Sequence, residues 1–250
     1  KDGEVEILGT GQVNNKRENR EAFCFPGHTD YLAQELGGQS LMFMVTETLK
    51  VGLLTDHVPV REAPNLITGQ LIRDKVRAME DSLVRDFRVD KPRIAVLGIN
   101  PHSGDEGVIG KEDEEVLKPA LEKLREGKHL VFGPYAADTF FASDNYLNFD
   151  GVLACYHDQG LIPFKTLAFG RGVNFTAGLS RVRTSPDHGT AFDIAGKGVA
   201  NPDSFQEAVF TGIRIFKNRR EYEELSRNPL KKQKLKRGAK GSKGSRRQGN

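Results

Sequence analysis

Three of the six histidines stand directly beyond short apolar runs: Thr55-Asp56-His57, Asn100-Pro101-His102 and Tyr156-His157. Neutral imidazoles suit zinc or cobalt, and three protein ligands with an open position mark a catalytic rather than a structural metal site. A substrate supplying oxygen ligands would make magnesium or manganese workable as well. Gaps of 45 and 55 residues leave a second reading open, in which the three are separate loop histidines that only make hydrogen bonds. Further along, Lys165, Arg171, Asn174, Arg181 and Arg183 gather four cations and an amide around Gly170-Arg171-Gly172. That set suits a phosphate or carboxylate, although an exposed basic loop would read similarly. Next comes Asp187-His188-Gly189-Thr190-Ala191, punctuated by Gly196 and Gly198 and ending at Asn201-Pro202. Such a loop ahead of a helix can wrap a nucleotide through its backbone. The whole stretch from His157 to Asn201 reads as polar and glycine-rich, with little room for core.

The elements that must position these residues alternate. Lys50–Thr55, Arg93–Ile99 and Gly151–Tyr156 are nearly continuous apolar runs, the pattern of strands buried on both faces. Ligands of open α/β sheets bind beyond the carboxyl ends of strands, so three histidines placed there can converge. Between the first two runs, Ile72, Val76, Met79, Leu83 and Phe87 recur at helical spacing and predict a crossover helix. Lys111 to Gly127 opens on four acids and closes on Lys123, Arg125 and Gly127, which predicts a second helix with acids at its start and a glycine stop. Asn201-Pro202 caps a third, with Phe205, Ala208, Val209, Ile213 and Phe216 as its apolar stripe. Strand, helix, strand, helix means α/β.

Composition narrows the function classes. With 37% hydrophobic and 28% charged residues, the 250-residue chain reads as a soluble globular protein, and no apolar run is long enough to span a bilayer. Cys24 and Cys155 form no CxxC motif, so a reducing cytoplasm is the expected setting. The chain opens on Lys1-Asp2-Gly3-Glu4 and reads as entered partway through. Nine of the last twenty residues are Lys or Arg and none is acidic, so the body is mildly acidic despite a net charge of +3. This tail is expected to be disordered, and without interleaved aromatics it is a weak argument for nucleic acid.

Six runs in this order, Phe25-Pro-Gly-His28-Thr29, Thr55-Asp-His57-Val-Pro, Gly98-Ile-Asn-Pro-His102-Ser-Gly, Gly133-Pro-Tyr-Ala-Ala-Asp138-Thr, Tyr156-His157-Asp-Gln159-Gly and Arg183-Thr-Ser-Pro-Asp-His188-Gly-Thr-Ala191, resemble the 4-hydroxythreonine-4-phosphate dehydrogenase family. The resemblance covers about residues 20 to 217. It implies a three-layer α/β sandwich of the isocitrate/isopropylmalate dehydrogenase-like type with a truncated first domain. By its alignment, residues 1–22 are a remnant of that first domain, 23–200 the metal and substrate domain, 201–228 a helix returning to the first, and 229–250 the tail. It implies His57, His102 and His157 as ligands of one divalent ion shared between the subunits of a homodimer. His28, Thr29, Lys165, Asn174 and Arg183 become substrate contacts, and the loop carrying His188, Gly189, Thr190, Ala191 and Asn201 becomes the adenosine site of NAD. A Rossmann fingerprint is then not expected after Gly9-Thr10-Gly11. The implied reaction oxidises a secondary alcohol to a β-keto acid that loses carbon dioxide. Two classes stay open: this dehydrogenase, or a catalytically silent dimerising or binding relative of it.

Overall fold

The structure, a computed structural model, describes residues 5–11, 28–168, 170–189 and 191–230, without the side chains of residues 28–30 and 33. These residues build one eight-stranded mixed sheet from β1 (Ile7–Gly9), β2 (Leu41–Val45), β3 (Lys50–Leu53), β4 (Ile94–Leu97), β5 (Val131–Tyr135), β6 (Gly151–Ala154), β7 (Val173–Ala177) and β8 (Val182–Pro186), in the order β1-β8-β7-β2-β3-β6-β4-β5. The three apolar runs that precede the histidines are β3, β4 and β6. They lie side by side and parallel, with β6 in the middle.

Helices α1 (His28–Leu36), α2 (Gly69–Arg85), α3 (Lys118–Glu126), α4 (Ala137–Ala142), α5 (His157–Ala168) and α6 (Asp203–Ser226) complete the main framework. One apolar cluster joins Phe43, Val96, Leu153 and Phe175 to side chains of α2, α3 and α6, and a second joins Met44, Val51, Leu53, Leu97 and Val152 to Phe140 of α4 and to Leu161 and Phe164 of α5. Alternate strand residues thus feed opposite faces, and the sheet is the middle of three layers.

The expected crossover helix is α2. Thr68 starts it, its hydroxyl accepting from Leu71 N at 3.2 Å, and Ile72, Val76, Met79 and Leu83 are fully buried. Each such side chain is worth about 1.5–3 kcal/mol of burial. Phe87 falls beyond the end of the helix and packs on the cluster's edge.

Three expectations are corrected. The second predicted helix is split into a π-helical turn over Asp113–Leu117 and then α3, and Asp113 is completely buried rather than a solvated acid at a helix start. Its left-handed residue is Lys128 at φ 68°, not Gly127. The apolar stripe assigned to α6 is largely outside. Phe205, Val209 and Ile213 are exposed, while Ala208, Thr211, Gly212, Ile215 and Arg219 face inward. The reason is close approach: a Cβ on Gly212 would come within 3.0 Å of Thr184 Oγ1 and 3.1 Å of Ile7 Cγ2, so small residues let the helix sit down on β8 and β1. Lastly, the stretch from His157 to Asn201 supplies core after all, because it folds into α5, β7 and β8 and buries Leu161, Phe164, Val173, Phe175, Leu179 and Val182.

Candidate active site

The site is built on the carboxyl ends of β3, β6 and β4. Past the last ladder pairs, the chain ends are joined by further hydrogen bonds. Leu54 N donates to Ala154 O at 2.8 Å and Thr55 N to Cys155 O at 3.2 Å, and the Thr55 hydroxyl also donates to Cys155 O at 2.8 Å. His57 leaves the end of β3 and His157 opens α5 directly beyond β6. Their ring centroids lie 6.0 Å apart. Two imidazoles bound tetrahedrally to one ion at ~2.05 Å would have centroids ~5 Å apart, so small ring rotations would bring this pair onto a metal.

Each of these rings has an aspartate beside its Nδ1. Asp158 Oδ1 is 2.8 Å from His157 Nδ1, and Asp56 Oδ2 is 4.0 Å from His57 Nδ1. At His157 the carboxylate is within hydrogen-bond distance of Nδ1 and fixes the tautomer that leaves Nε2 as the electron-pair donor, the usual outer partner of a ligating histidine. Asp56 also accepts from His57 N at 2.7 Å.

His102 follows β4 in a different backbone setting. Residues 102 to 106 all have positive φ, between 44° and 83°, a run that L-residues adopt only when held there. Asp113 is the holder. Its carboxylate accepts from Ile99 N at 2.8 Å, Asn100 N at 3.0 Å and Asn100 Nδ2 at 3.0 Å, and Glu112 accepts from the same amide at 2.8 Å. Glu112 is held below the usual carboxylate range, by a backbone hydrogen bond first and by Asn100 second. The imidazole of His102 is exposed. Among the described residues, no three His, Cys, Asp or Glu side chains of one chain form a metal-binding group.

The basic set separates into different roles. Asn174 and Thr176 on β7 stand opposite Ser185 and Arg183 on β8, and they also pair with Met44 and Met42 on β2. That register puts them on the sheet face covered by α5. Arg183 is only 5% exposed. Its guanidinium donates to Thr10 Oγ1 at 3.0 Å and to Thr176 Oγ1 at 3.3 Å, and no carboxylate pairs with it among the described residues. Burial lowers its pKa to about 10, so it remains charged at neutral pH. Beside it, Asn174 Oδ1 is buried without a hydrogen-bond partner. Among the described residues, a buried cation without a carboxylate partner and an unmet amide oxygen beside it suit a ligand that carries both an anion and a hydrogen-bond donor such as a hydroxyl or ammonium.

Lys165, on α5, reaches Asp187 instead, with Nζ 3.0 Å from its carboxylate and 3.1 Å from its carbonyl. Burial pushes the Asp187 carboxyl up, and Lys165 opposes this. Arg181 is taken up by a surface pair with Glu6 at 3.1 Å. A cleft of about 630 Å³ is lined by Arg171, His188, Ala191, Asn201, Ser204 and Glu207 among others. The structure therefore brings three of the five loop residues named for the nucleotide to one cleft. Gly189 follows His188, its carbonyl 2.8 Å from that ring's Nδ1. Thr190, the His28 and Thr29 side chains and the last twenty residues of the basic tail lie outside the described residues.

Sequence reasoning gave no role to several residues that shape this site. Asp158, Gln159 and Asp187 all sat inside the six quoted runs, beside histidines or glycines that drew the attention. Thr10 was passed over as part of an incomplete glycine motif, and Asp113 as one acid in a run of four.

Comparison with known proteins agrees with this architecture. Residues 1–212 match the family model described as pyridoxal phosphate biosynthetic protein PdxA. A 4-hydroxythreonine-4-phosphate dehydrogenase of Bacteroides thetaiotaomicron is 48% identical over 235 residues, which is 93% of this chain and 65% of that protein. The crystal structure of the enzyme of that name from Klebsiella pneumoniae superposes with a TM-score of 0.75 at 36% identity, covering 86% of this chain and 66% of the other. An isocitrate dehydrogenase from Methylococcus capsulatus, at 14% identity and a TM-score of 0.50, shares the fold over 88% of this chain and 71% of its own. The chain spans about 65% of the length of the first curated relatives it matches. With the family model matching residues 1–212 and solved structures of like name superposing on its α/β fold, this chain belongs to the pyridoxal phosphate biosynthetic PdxA family.

Proposed function

We propose that the protein is an NAD-dependent, divalent-metal-dependent dehydrogenase that oxidises 4-phosphohydroxy-L-threonine to a β-keto acid, which loses carbon dioxide to give 3-amino-2-oxopropyl phosphate. The observation that carries the reading is the His57–His157 pair, two imidazoles 6.0 Å apart on adjoining strand ends, with aspartates beside their Nδ1 atoms. These two rings hold the ion from one chain. His102 of a second copy completes the set, which makes the working unit a homodimer. The apolar groove beside His157, about 480 Å³ and lined by Phe141, Tyr156, Ile162 and Pro163 among others, is a surface such a copy would cover.

A divalent ion held by His57, His157 and the second copy's His102 would supply Lewis-acid polarisation of the substrate oxygen, and NAD held at the His188–Asn201 loop would supply the hydride acceptor. The chain's own residues do the positioning. Arg183 and Asn174 take an anionic group of the substrate on the α5 face of the sheet, and Lys165 turns from Asp187 to a second one. His28 and Thr29 serve as further substrate contacts. His188, Ala191 and Asn201, which line the 630 Å³ cleft, together with Gly189 and Thr190 of the same loop, serve as the adenosine site of NAD. Because α5 begins at His157 and carries Lys165 two turns on, at ~1.5 Å rise per residue one helix sets these two residues about 12 Å apart along its axis.

The test follows NADH absorbance with 4-phosphohydroxy-L-threonine, NAD and a divalent cation. Turnover must require the cation and vanish in His102→Ala. Undiminished turnover in that variant refutes the assignment.

A further inference from the structure

The ends of β3, β6 and β4 are laced together by a continuous run of hydrogen bonds that no role assigned above explains. Thr55 Oγ1 donates to Cys155 O at 2.8 Å. Gln159 then spans the next gap: its Oε1 accepts from Cys155 N at 2.7 Å and its Nε2 donates to Gly98 O at 2.7 Å. One residue further on, Ile99 N donates to Asp113. The β6–β4 ladder pairs run only to Leu153 and Val96, so beyond them side chains join the strand leading to His157 with the strand leading to His102: the Cys155 thiol, donating to Leu97 O at 3.2 Å, and the Gln159 amide, which alone holds a backbone group of each strand end.

We propose that Gln159 is a positioning residue of the metal sites, its amide fixing the His157 loop of one site against the same chain's His102 loop, which serves the second site of the dimer. The inference rests on the metal reading given above. An amide suits this place because it offers an acceptor to one strand end and a donor to the other; a carboxylate offers only acceptors and a leucine neither. The His102 loop also has most need of such a tie, since five consecutive left-handed residues have no local preference to keep them in place. Gln159 lies two residues from His157 on the same helix and lines the groove beside it. It touches neither ring in any hydrogen bond, so it acts on the ligands only through the backbone.

The experiment titrates the full chain and its Gln159→Glu and Gln159→Leu variants with Co(II) alone, reading affinity and the visible d–d absorption. Circular dichroism and thermal unfolding of the metal-free proteins run alongside. Gln159→Glu is nearly isosteric and keeps the acceptor for Cys155 N, so it decides the matter should Gln159→Leu not fold. The expected result is a folded variant with Co(II) affinity reduced about 10- to 100-fold and a changed d–d band. A variant that melts earlier yet binds Co(II) with wild-type affinity and spectrum shows a purely structural amide and overturns the proposal alone. Failure of the wild-type chain to take up Co(II) overturns the metal reading, and the proposal with it.

Discussion

Replacing Arg183 with methionine should stabilise the ligand-free protein while destroying its anion site. The guanidinium is 5% exposed and hydrogen-bonds only hydroxyls, Thr10 and Thr176, among the described residues. Burial alone lowers its pKa to about 10. Each pH unit of displacement is worth about 1.4 kcal/mol, so holding this charge in the fold costs about 3 kcal/mol. The cost stands in full at neutral pH, where the group is charged in both states. It is relieved only as pH rises through about 10 and the folded state gives up its proton first. Methionine fills similar volume without charge but forfeits two hydrogen bonds of about 1 kcal/mol each. The net expectation is a gain of about 1 kcal/mol, read by denaturant unfolding. Inorganic phosphate at ten times its dissociation constant should stabilise the wild-type chain by about 1.4 kcal/mol, a rise in Tm of roughly 3–5 °C for a chain this size, and should leave the variant unmoved. A variant that is less stable by more than 1 kcal/mol and still responds to phosphate would refute the reasoning, because Arg183 would then be a satisfied structural cation.

Three further outcomes follow from the same geometry. If the ion is shared between two copies, His57→Ala and His102→Ala chains, each unable to bind Co(II), should regain about a quarter of wild-type binding when unfolded and refolded together in equal amounts, since half the dimers are mixed and each mixed dimer has one intact site; no recovery places all three ligands in one chain. Arg219 holds the fully buried Asp86 at 2.6 and 3.2 Å and thereby pins α6 to the end of α2. Arg219→Met leaves that carboxylate only the Ser82 hydroxyl at 2.8 Å and the more distant Arg85 Nε at 3.6 Å and should cost about 3 kcal/mol in a urea melt, with Asp86→Leu/Arg219→Met recovering much of it. Cys155 is completely buried, its thiol pushed well above the usual range by desolvation and donating to Leu97 O at 3.2 Å; peptide mass spectrometry should find it unalkylated by iodoacetamide until the chain unfolds.

The strand ends were legible because burial on both faces leaves a plain apolar signature. Val51–Leu53, Ile94–Leu97 and Gly151–Ala154 are buried throughout, and a histidine placed just beyond each is a pattern that one-dimensional reading can see. Helix faces were less legible. Of the stripe Phe205, Ala208, Val209, Ile213 and Phe216, Ala208 is buried and Phe216 packs on the core's edge while the other three are exposed, because strands β8 and β1 admit the backbone of α6 at Gly212 more closely than any large side chain would permit. Polar residues that work by holding others were hardest of all. Asp113 reads as a helix-start acid among neighbours of the same charge, and only the folded loop shows it buried and bonded to the backbone before His102. Gln159 offers no sequence signal beyond its nearness to His157.

What the chain spends on supporting its site residues bears on whether that site is still used. The residues that touch the proposed ion and substrate could survive as isolated matches in a protein that had lost its chemistry, whereas the supports beneath them are costly to keep without it. The buried Arg183 charge lowers stability by about 3 kcal/mol, and the left-handed run from His102 to Glu106 must be held open by a carboxylate withdrawn from water. Mutation drifting toward stability would remove both, since an apolar side chain at 183 and a relaxed loop at 102 are each favoured by the fold alone. Their presence in one chain, on the same edge as the His57–His157 pair, argues that this edge is still maintained for a ligand.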